Sequence, residues 1–195
     1  MNYLAHAFLS FGDTDLLTGN MIADHVKGIK GMEAYPEGIR EGMILHRKID
    51  AFTDSHPAVQ RAKIWFRPVY HLYAGPITDS LFDHFLANDP RHFESADALM
   101  QFTQRTYEQV ATNEAYFPEQ FAAYFPHMRT HNWLYNYRNL QGMRRSLEGL
   151  ERKAKHMPPA QEAYEIFIGY YYQLNQCYFE LMDDLILYVK AELKS

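Results

Sequence analysis

Residues 36–57 read PEGIREGMILHRKIDAFTDSHP, and the apolar pattern of this stretch is the strongest indication of the fold. At about 100° per residue, the apolar side chains fall on one arc and most charged side chains fall on the opposite side, as in an amphipathic helix. His46 and Asp50 stand one turn apart, and both lie inside the apolar arc. The sequence therefore predicts a helix over residues 36–52 that points an imidazole and a carboxylate toward the protein interior.

An inward carboxylate needs a cation or hydrogen-bond donors beside it, because removing its charge from water is costly. A metal ion is one such cation, and more potential ligands occur nearby in the chain. The candidate metal ligands are His6, Asp24, His46, Asp50, Asp83 and His84. A single inward histidine is more often a hydrogen-bonded core residue. The alternative is therefore a structural network of acids and histidines without a metal.

The segment PITDSLFDHFLA, residues 76–87, predicts a second helix with inward acids. Its leucine and phenylalanine side chains form one apolar face, and Asp79 and Asp83 lie four residues apart along the edge of that face. His84 points about 130° from the centre of the face. We therefore expect His84 either beside the ligands or packed against another helix.

The rest of the sequence also predicts helices, because no run shows sustained alternation of apolar and polar residues and no hairpin turn signal occurs. The predicted helices cover residues 2–10, 15–28, 36–52, 57–66, 77–88, 95–112, 118–125, 129–139, 140–153 and 159–192. A chain of 195 residues fits one compact domain with a sizeable core, residues 1–195. We therefore expect an all-α fold, built as a single helical bundle.

Composition narrows the classes of function. The formal net charge of -5 argues against a general nucleic-acid binder, and the apolar runs are too short to span a bilayer. The only cysteine, Cys177, excludes an internal disulfide, and the N-terminus lacks the basic region of a signal peptide, so a cytoplasmic protein is expected. Mixed carboxylate and imidazole ligands suit manganese, magnesium or iron better than a metal that prefers thiolate.

Four motifs occur in a characteristic order: NYLAHAFLS at residues 2–10, GNMIADHVKG at 19–28, GMILHRKIDAFTDSHP at 42–57 and PITDSLFDHFLA at 76–87. This order resembles the acyl carrier protein phosphodiesterase family, and the aromatic stretch HNWLYNYR at residues 131–138 is similar too. The resemblance implies an all-helical fold related to the HD-domain metal phosphohydrolases and a divalent cation such as manganese. It also implies removal of the phosphopantetheine arm from a serine of acyl carrier protein.

The resemblance also implies which residues form the site. The positions that match the family motifs are His6, Asn20, Asp24, His46, Arg47, Asp50, Asp79, Asp83 and His84. The histidine-aspartate doublet of the wider HD superfamily is absent, since Arg47 follows His46 and the adjacent pair Asp83-His84 is reversed. Ligand roles therefore do not transfer one for one from that superfamily.

Residue chemistry suggests further roles around the metal. Arg47 flanks the His46 and Asp50 pair, where it can offset charge on phosphoryl oxygens in the transition state. Asp54 and Asp79 are the candidate general bases. The candidate substrate-binding residues are Asn20, Lys27 and Lys48. Some of the many aromatic residues, Trp133 and Tyr137 among them, are candidates to line a channel for the pantetheine arm.

The implied partner is an acidic carrier protein, although this chain is itself negatively charged. Two segments are locally basic: residues 27–67 hold eight basic and five acidic residues, and residues 144–155 hold five basic and two acidic residues. An acidic protein can dock on such patches, but mixed-charge helix faces are common without a partner.

Three hypotheses follow. The first is metal-dependent hydrolysis of holo-acyl carrier protein. The second is a phosphohydrolase that acts at the same metal on a nucleotide or another small phosphodiester. The third is a non-enzymatic helical binding protein with a structural hydrogen-bond network.

Overall fold

The computed structural model describes residues 1–194, and within that range the protein consists of helices and connecting turns without any strand. The all-α prediction is therefore confirmed. The helices are α1 Tyr3–Phe8, α2 Thr14–Ile22, α3 Gly28–Met32, α4 Glu37–Ser55, α5 Pro57–Ile64, α6 Arg67–Tyr70, α7 Ala74–Ala87, α8 Ala96–Thr112, α9 Glu119–Thr130, α10 Trp133–Asn136, α11 Leu140–Lys153, α12 Ala160–Gly169 and α13 Tyr171–Glu192. Short 3-10 turns occupy Ala23–His25, His71–Tyr73 and Glu114–Tyr116.

Helix α4 buries the face that its apolar pattern predicts. Ile39, Met43 and Ile49 are fully buried on that face, and His46 is buried beside them. Ile44 lies outside the apolar arc of this helix, and its side chain is 46% exposed. Helical phase thus determines which side chains of α4 enter the core.

Two glycines allow α2 and α4 to make the most extensive helix-helix contact of the fold. A Cβ atom at Gly19 would overlap the carbonyl oxygen of Ile39, and one at Gly42 would overlap the carbonyl oxygen of Leu16. The backbones therefore touch at this crossing. The crossing also brings Asn20, the neighbour of Gly19, directly against α4.

Helix α7 lies at the centre of the bundle, where it packs against α1, α5, α11 and α13. Its apolar residues, including Ile77, Leu81 and Phe82, are fully buried, and so is the carboxylate of Asp83. Because α1 contacts both α2 and α7, the first motif of the sequence lies between the second motif and the fourth.

Three predicted helices are interrupted. The predicted helix 129–139 is divided between α9 and α10 at residues 131–132. The predicted helix 15–28 ends as α2 at Ile22, and Gly28 begins α3 instead of ending a helix, with φ of +67°. The predicted helix 159–192 is divided between α12 and α13 at Tyr170. Gly169 precedes this break, and glycine has a low helix propensity because its backbone loses the most conformational entropy on folding.

The length and apolar content of the helices bear on membrane insertion. Across the described part of the chain, none combines the length and the apolar content that a bilayer-crossing helix needs.

The crossing of α2 and α4 generates a stability prediction. We expect Gly42→Ala and Gly19→Ala each to lower the free energy of unfolding by about 2 to 3 kcal/mol, since the added methyl group meets backbone atoms that cannot rotate away. The measurement is chemical denaturation followed by circular dichroism.

Gly149→Ala in α11 is the matched control, because its added Cβ atom would meet only the end of the Arg152 side chain, at 3.6 Å. Helix propensity predicts that this control is neutral or stabilising by up to about 1 kcal/mol. Equal stability of all three variants would contradict the close crossing.

Candidate functional site

The side chains of His6, His46 and Asp50 converge between α1 and α4. The two imidazole rings stack with their centroids 3.9 Å apart and their planes inclined by 17°. The Asp50 carboxylate lies 3.2 Å from Nε2 of His6 through Oδ1 and 3.1 Å from Nε2 of His46 through Oδ2. One ligand atom from each of the three residues lies within 4.8 Å of the other two. The predicted pair of α4 therefore joins the histidine of the first motif.

Asn20 sets the orientation of both rings. Nδ1 of His6 is 2.8 Å from the side-chain oxygen of Asn20, and Nδ1 of His46 is 2.8 Å from its main-chain oxygen. The Asn20 amide donates to the main-chain oxygen of His6 and to the Ser10 hydroxyl. Both Nδ1 atoms therefore donate, so Nε2 carries the lone pair whenever a ring is neutral.

This position corrects the predicted role of Asn20 in substrate binding. Its side chain is buried, at 1% exposure, and its polar atoms are occupied by His6 and Ser10. Asn20 cannot reach a substrate. It holds the histidines in place, as residues behind metal ligands do in metal sites.

The two histidines differ in their protonation. Burial, reinforced by the nearby His46, lowers the pKa of His6 to about 4. Burial also lowers the pKa of His46, but hydrogen bonds to Asp24 and Asp50 outweigh it and raise the pKa to about 9. The Asp50 carboxyl loses hydration on burial, yet the nearby His46 and His6 rings and the Met1 amino group hold its pKa well below the usual range. Asp50 is therefore ionised, and His6 is neutral at neutral pH.

The neutral His6 ring leaves a buried acceptor without a donor. Its Nε2 atom has no hydrogen-bond partner and faces the ionised Asp50 across 3.2 Å, so two lone pairs oppose each other. A cation relieves this repulsion by binding both atoms. Ligands about 2.1 Å from one ion and about 90° apart are themselves about 3.0 Å apart, close to the separations of 3.1 and 3.2 Å in the cluster. The donor set of two imidazoles and one carboxylate therefore fits a divalent metal.

Asp24 lies at the edge of the cluster. Its Oδ1 atom is 3.2 Å from Nε2 of His46, and its side chain is largely exposed. The hydrogen bond with His46 lowers the pKa of Asp24 and keeps the carboxylate ionised. Asp24 thus stands where it can add a fourth ligand from the solvent side.

Two predicted ligands lie elsewhere. Asp83 is fully buried, and its oxygens accept from the main-chain amides of Asn2, Leu4 and Ala5 at the start of α1. His84 donates from Nδ1 to the Tyr137 carbonyl oxygen at 2.7 Å and places Nε2 2.9 Å from the Tyr171 hydroxyl. These contacts correct the prediction that Asp83 and His84 bind the metal, because other protein groups already satisfy both side chains. For His84 the alternative prediction is confirmed, since its ring packs against another helix at Tyr171.

The two candidate general bases both line the cavity described below. Asp79 accepts a hydrogen bond of 3.1 Å from the amino group of Met1, and burial raises its pKa. The Met1 amino group also lies 3.6 Å from Asp50, so Asp79 and Asp50 share a neighbour. Asp54 is largely exposed and forms an ion pair of 2.8 Å with Lys63.

The three cations predicted to contact substrate lie outside the cavity lining. Arg47 donates to the main-chain oxygen of Val26, Lys48 forms an ion pair with Glu192, and Lys27 is exposed beside α3. None of the three lines the cavity. The predicted contacts of Arg47, Lys27 and Lys48 with substrate therefore stay predictions, and the cavity gives them no support.

A cavity of about 860 Å³ opens onto the cluster. Asp24, Asp50, Asp54 and Asp79 contribute its acidic lining. Aromatic and basic residues from later helices complete the lining: Trp133, Tyr137, Arg145, Arg152 and Lys153. The predicted aromatic lining is thus present at Trp133 and Tyr137.

Sequence reasoning missed the individual basic residues of the cavity. Arg145, Arg152 and Lys153 recur at the three- and four-residue spacing of one helical face, together with the small residues Gly142 and Gly149. That spacing was a usable signal. A charge count over the whole segment 144–155 obscures this signal, because the count does not separate one helical face from another.

Comparison with known proteins identifies the family. Residues 1–185 match the family model described as acyl carrier protein phosphodiesterase. The protein named acyl carrier protein phosphodiesterase from Enterobacter sp. (strain 638) is 28% identical over 97% of this chain and 98% of its own length. Proteins of the same name from Salmonella paratyphi A and Salmonella agona (strain SL483) are each 29% identical over 90% of this chain and 91% of their own length.

No solved structure matches the chain significantly, so the predicted relation to HD-domain phosphohydrolases stays a prediction. The family match spans all four motifs, including both histidines and the aspartate of the cluster. The chain therefore belongs to the acyl carrier protein phosphodiesterase family.

Proposed function

We propose that this protein is a metal-dependent phosphodiester hydrolase that removes phosphopantetheine from holo-acyl carrier protein and leaves the apo form. Membership of the family supports the reaction and the protein substrate. The observation that carries the chemistry is the convergence of His6, His46 and Asp50 beneath a large cavity.

We propose manganese as the metal, with magnesium and iron as the other candidates. Imidazole and carboxylate donors suit these ions, and the buried lone pair of His6 needs a cation beside it. His6, His46 and Asp50 would hold the ion, with Asp24 available from the solvent side. When bound, such an ion supplies Lewis acidity toward a phosphoryl oxygen.

The chain's own groups complete the reaction. Asp79 is the preferred general base, because it faces the cavity and lies beside the cluster without belonging to it. Asp54 is less suited, since Lys63 already neutralises its exposed carboxylate. The cavity lies within the range of about 300 to 1,000 Å³ that is usual for ligand pockets. Trp133 and Tyr137 offer apolar surface for the pantetheine arm.

Turnover tests the proposed reaction directly. Incubation of the manganese-loaded protein with holo-acyl carrier protein should remove the phosphopantetheine mass from the carrier, as measured by intact mass spectrometry. Addition of a chelator should stop this loss, and added manganese should restore it. An unchanged carrier mass alongside turnover of a nucleotide phosphodiester would replace this substrate with a nucleotide.

Metal binding tests the cluster. Asp50→Asn and His6→Ala should each abolish manganese binding in calorimetry and abolish turnover, because each removes a ligand of the three-residue set. Helix content should remain unchanged in circular dichroism. Asp184→Asn is the matched control, since Asp184 forms another histidine-carboxylate pair of 3.1 Å, with His56, that lies away from the cavity.

Wild-type protein that binds no divalent metal, and whose melting temperature no metal shifts, would defeat the metal site. The cluster would then be a structural hydrogen-bond network. Metal binding unchanged in both variants would remove Asp50 and His6 from the site.

Asn20 generates a separate prediction. Asn20→Ala should weaken manganese binding by about 10- to 100-fold, because it frees the His6 ring while keeping all three ligands. The His46 contact should survive, since it uses the main-chain oxygen of Asn20. Thr18→Ala on the same helix is the control, because Thr18 is equally buried but bonds to Thr14 and Asn113. Equal manganese affinity in the two variants would contradict the positioning role.

A further inference from the structure

The charged side chains of helix α11 that line the cavity are all cations. Of its six charged residues, only Arg145, Arg152 and Lys153 line the cavity, and all three are cations. Both acids of the helix are engaged elsewhere: Glu148 pairs with Arg144, and Glu151 accepts from the main-chain amide of Ala160. The helix therefore presents a purely basic face to the cavity that Asp50 of the histidine-aspartate cluster lines.

The cavity face of α11 also has room for a ligand. Gly149 lies on it between Arg145 and Arg152, and Ser146 lies beside Arg145. An added Cβ atom at Gly149 would have only the Arg152 guanidinium as a neighbour, at 3.6 Å. The small residues thus keep the space between the cations open.

These cations are available for binding. Arg145 and Arg152 are exposed to the cavity and form no hydrogen bond or ion pair with any residue in the described range 1–194. Lys153 is exposed as well, with its Nζ atom 5.8 Å from the centre of the Tyr124 ring. A purely structural role explains only part of this set. Cations in the last turn stabilise a helix, and this applies to Arg152 and Lys153 but not to Arg145.

The acidic side of the cavity creates a need for such cations. Four carboxylates line it, Lys63 and the Met1 amino group offset only two of them, Asp54 and Asp79, and a phosphodiester carries a permanent negative charge. A divalent ion at the cluster offsets only part of this repulsion. Arginine is well suited to the remainder, because its guanidinium binds two phosphate oxygens at once.

We propose that Arg145, Arg152 and Lys153 form the phosphate-binding face of the site and contact the non-bridging oxygens of the substrate's phosphodiester. This inference rests on the proposed function. It transfers to α11 the charge-offsetting role that the sequence had suggested for Arg47. The ligand is thus a phosphate ester, held between the metal-binding cluster and α11.

Product binding tests the phosphate-binding face. Calorimetry on the manganese-loaded protein compares phosphopantetheine with pantetheine, which lacks the phosphate. Arg145→Ala should weaken phosphopantetheine binding about tenfold, the effect of one hydrogen bond to a charged group, and Arg145→Ala/Lys153→Ala should weaken it further. Pantetheine binding should not change. Arg145→Lys should recover part of the loss, since it keeps the charge.

Arg144→Ala is the matched control, because Arg144 is the adjacent arginine of the same helix but lies outside the cavity and bonds to Gln161 and Glu148. Equal phosphopantetheine affinity in Arg145→Ala and Arg144→Ala would overturn the proposal. So would a loss that appears only with apo-acyl carrier protein, since the face would then bind carboxylates of the carrier.

Calorimetry needs no turnover, so this test is separate from the proposed function. Wild-type protein that leaves the carrier mass unchanged would defeat the proposed reaction. A phosphate-dependent difference between the Arg145 and Arg144 variants would still support the anion site. Manganese affinity should be the same in every α11 variant.

Discussion

The contact between the backbones of α2 and α4 is the constraint on which the site depends. Gly19 and Gly42 let the two helices touch, and this brings Asn20 within reach of the rings of His6 and His46. A wider crossing would separate the main-chain oxygen of Asn20 from Nδ1 of His46. This ring atom has no other hydrogen-bond partner among the described residues. The placement of His6 and His46 therefore depends on glycine at both positions of the crossing.

Buried acids in this protein show that burial alone does not identify a metal ligand. Asp83 is satisfied by three main-chain amides, and the equally buried Asp89 binds Arg91 and the hydroxyl of Tyr178. Asp50 differs because its neighbours are two histidine nitrogens that already donate through their other ring atom. The distinguishing feature is thus a carboxylate beside two imidazole nitrogens that can also bind a cation.

The sequence predicted the helices and the direction of His46 and Asp50, because one amphipathic period determines both. The prediction that His84 and Asp83 are metal ligands failed, because their partners are the Tyr137 carbonyl and the start of α1. Such partners are distant in the chain and include main-chain atoms, which no residue pattern encodes. The position of Arg145 at the cavity depends on the packing of α11 against α7. Helical spacing groups Arg145 with Arg152 and Lys153 but does not show which surface that face meets.

The ligands of the cluster come from α1 and α4, with α2 enclosed between them in the chain. An ion held by His6 and Asp50 therefore closes a loop of the polypeptide and acts as a cross-link that exists only in the folded state. Its binding free energy adds to the folding free energy, by an amount that grows with the free ion concentration. Metal supply would then govern the lifetime of the protein as well as its chemistry.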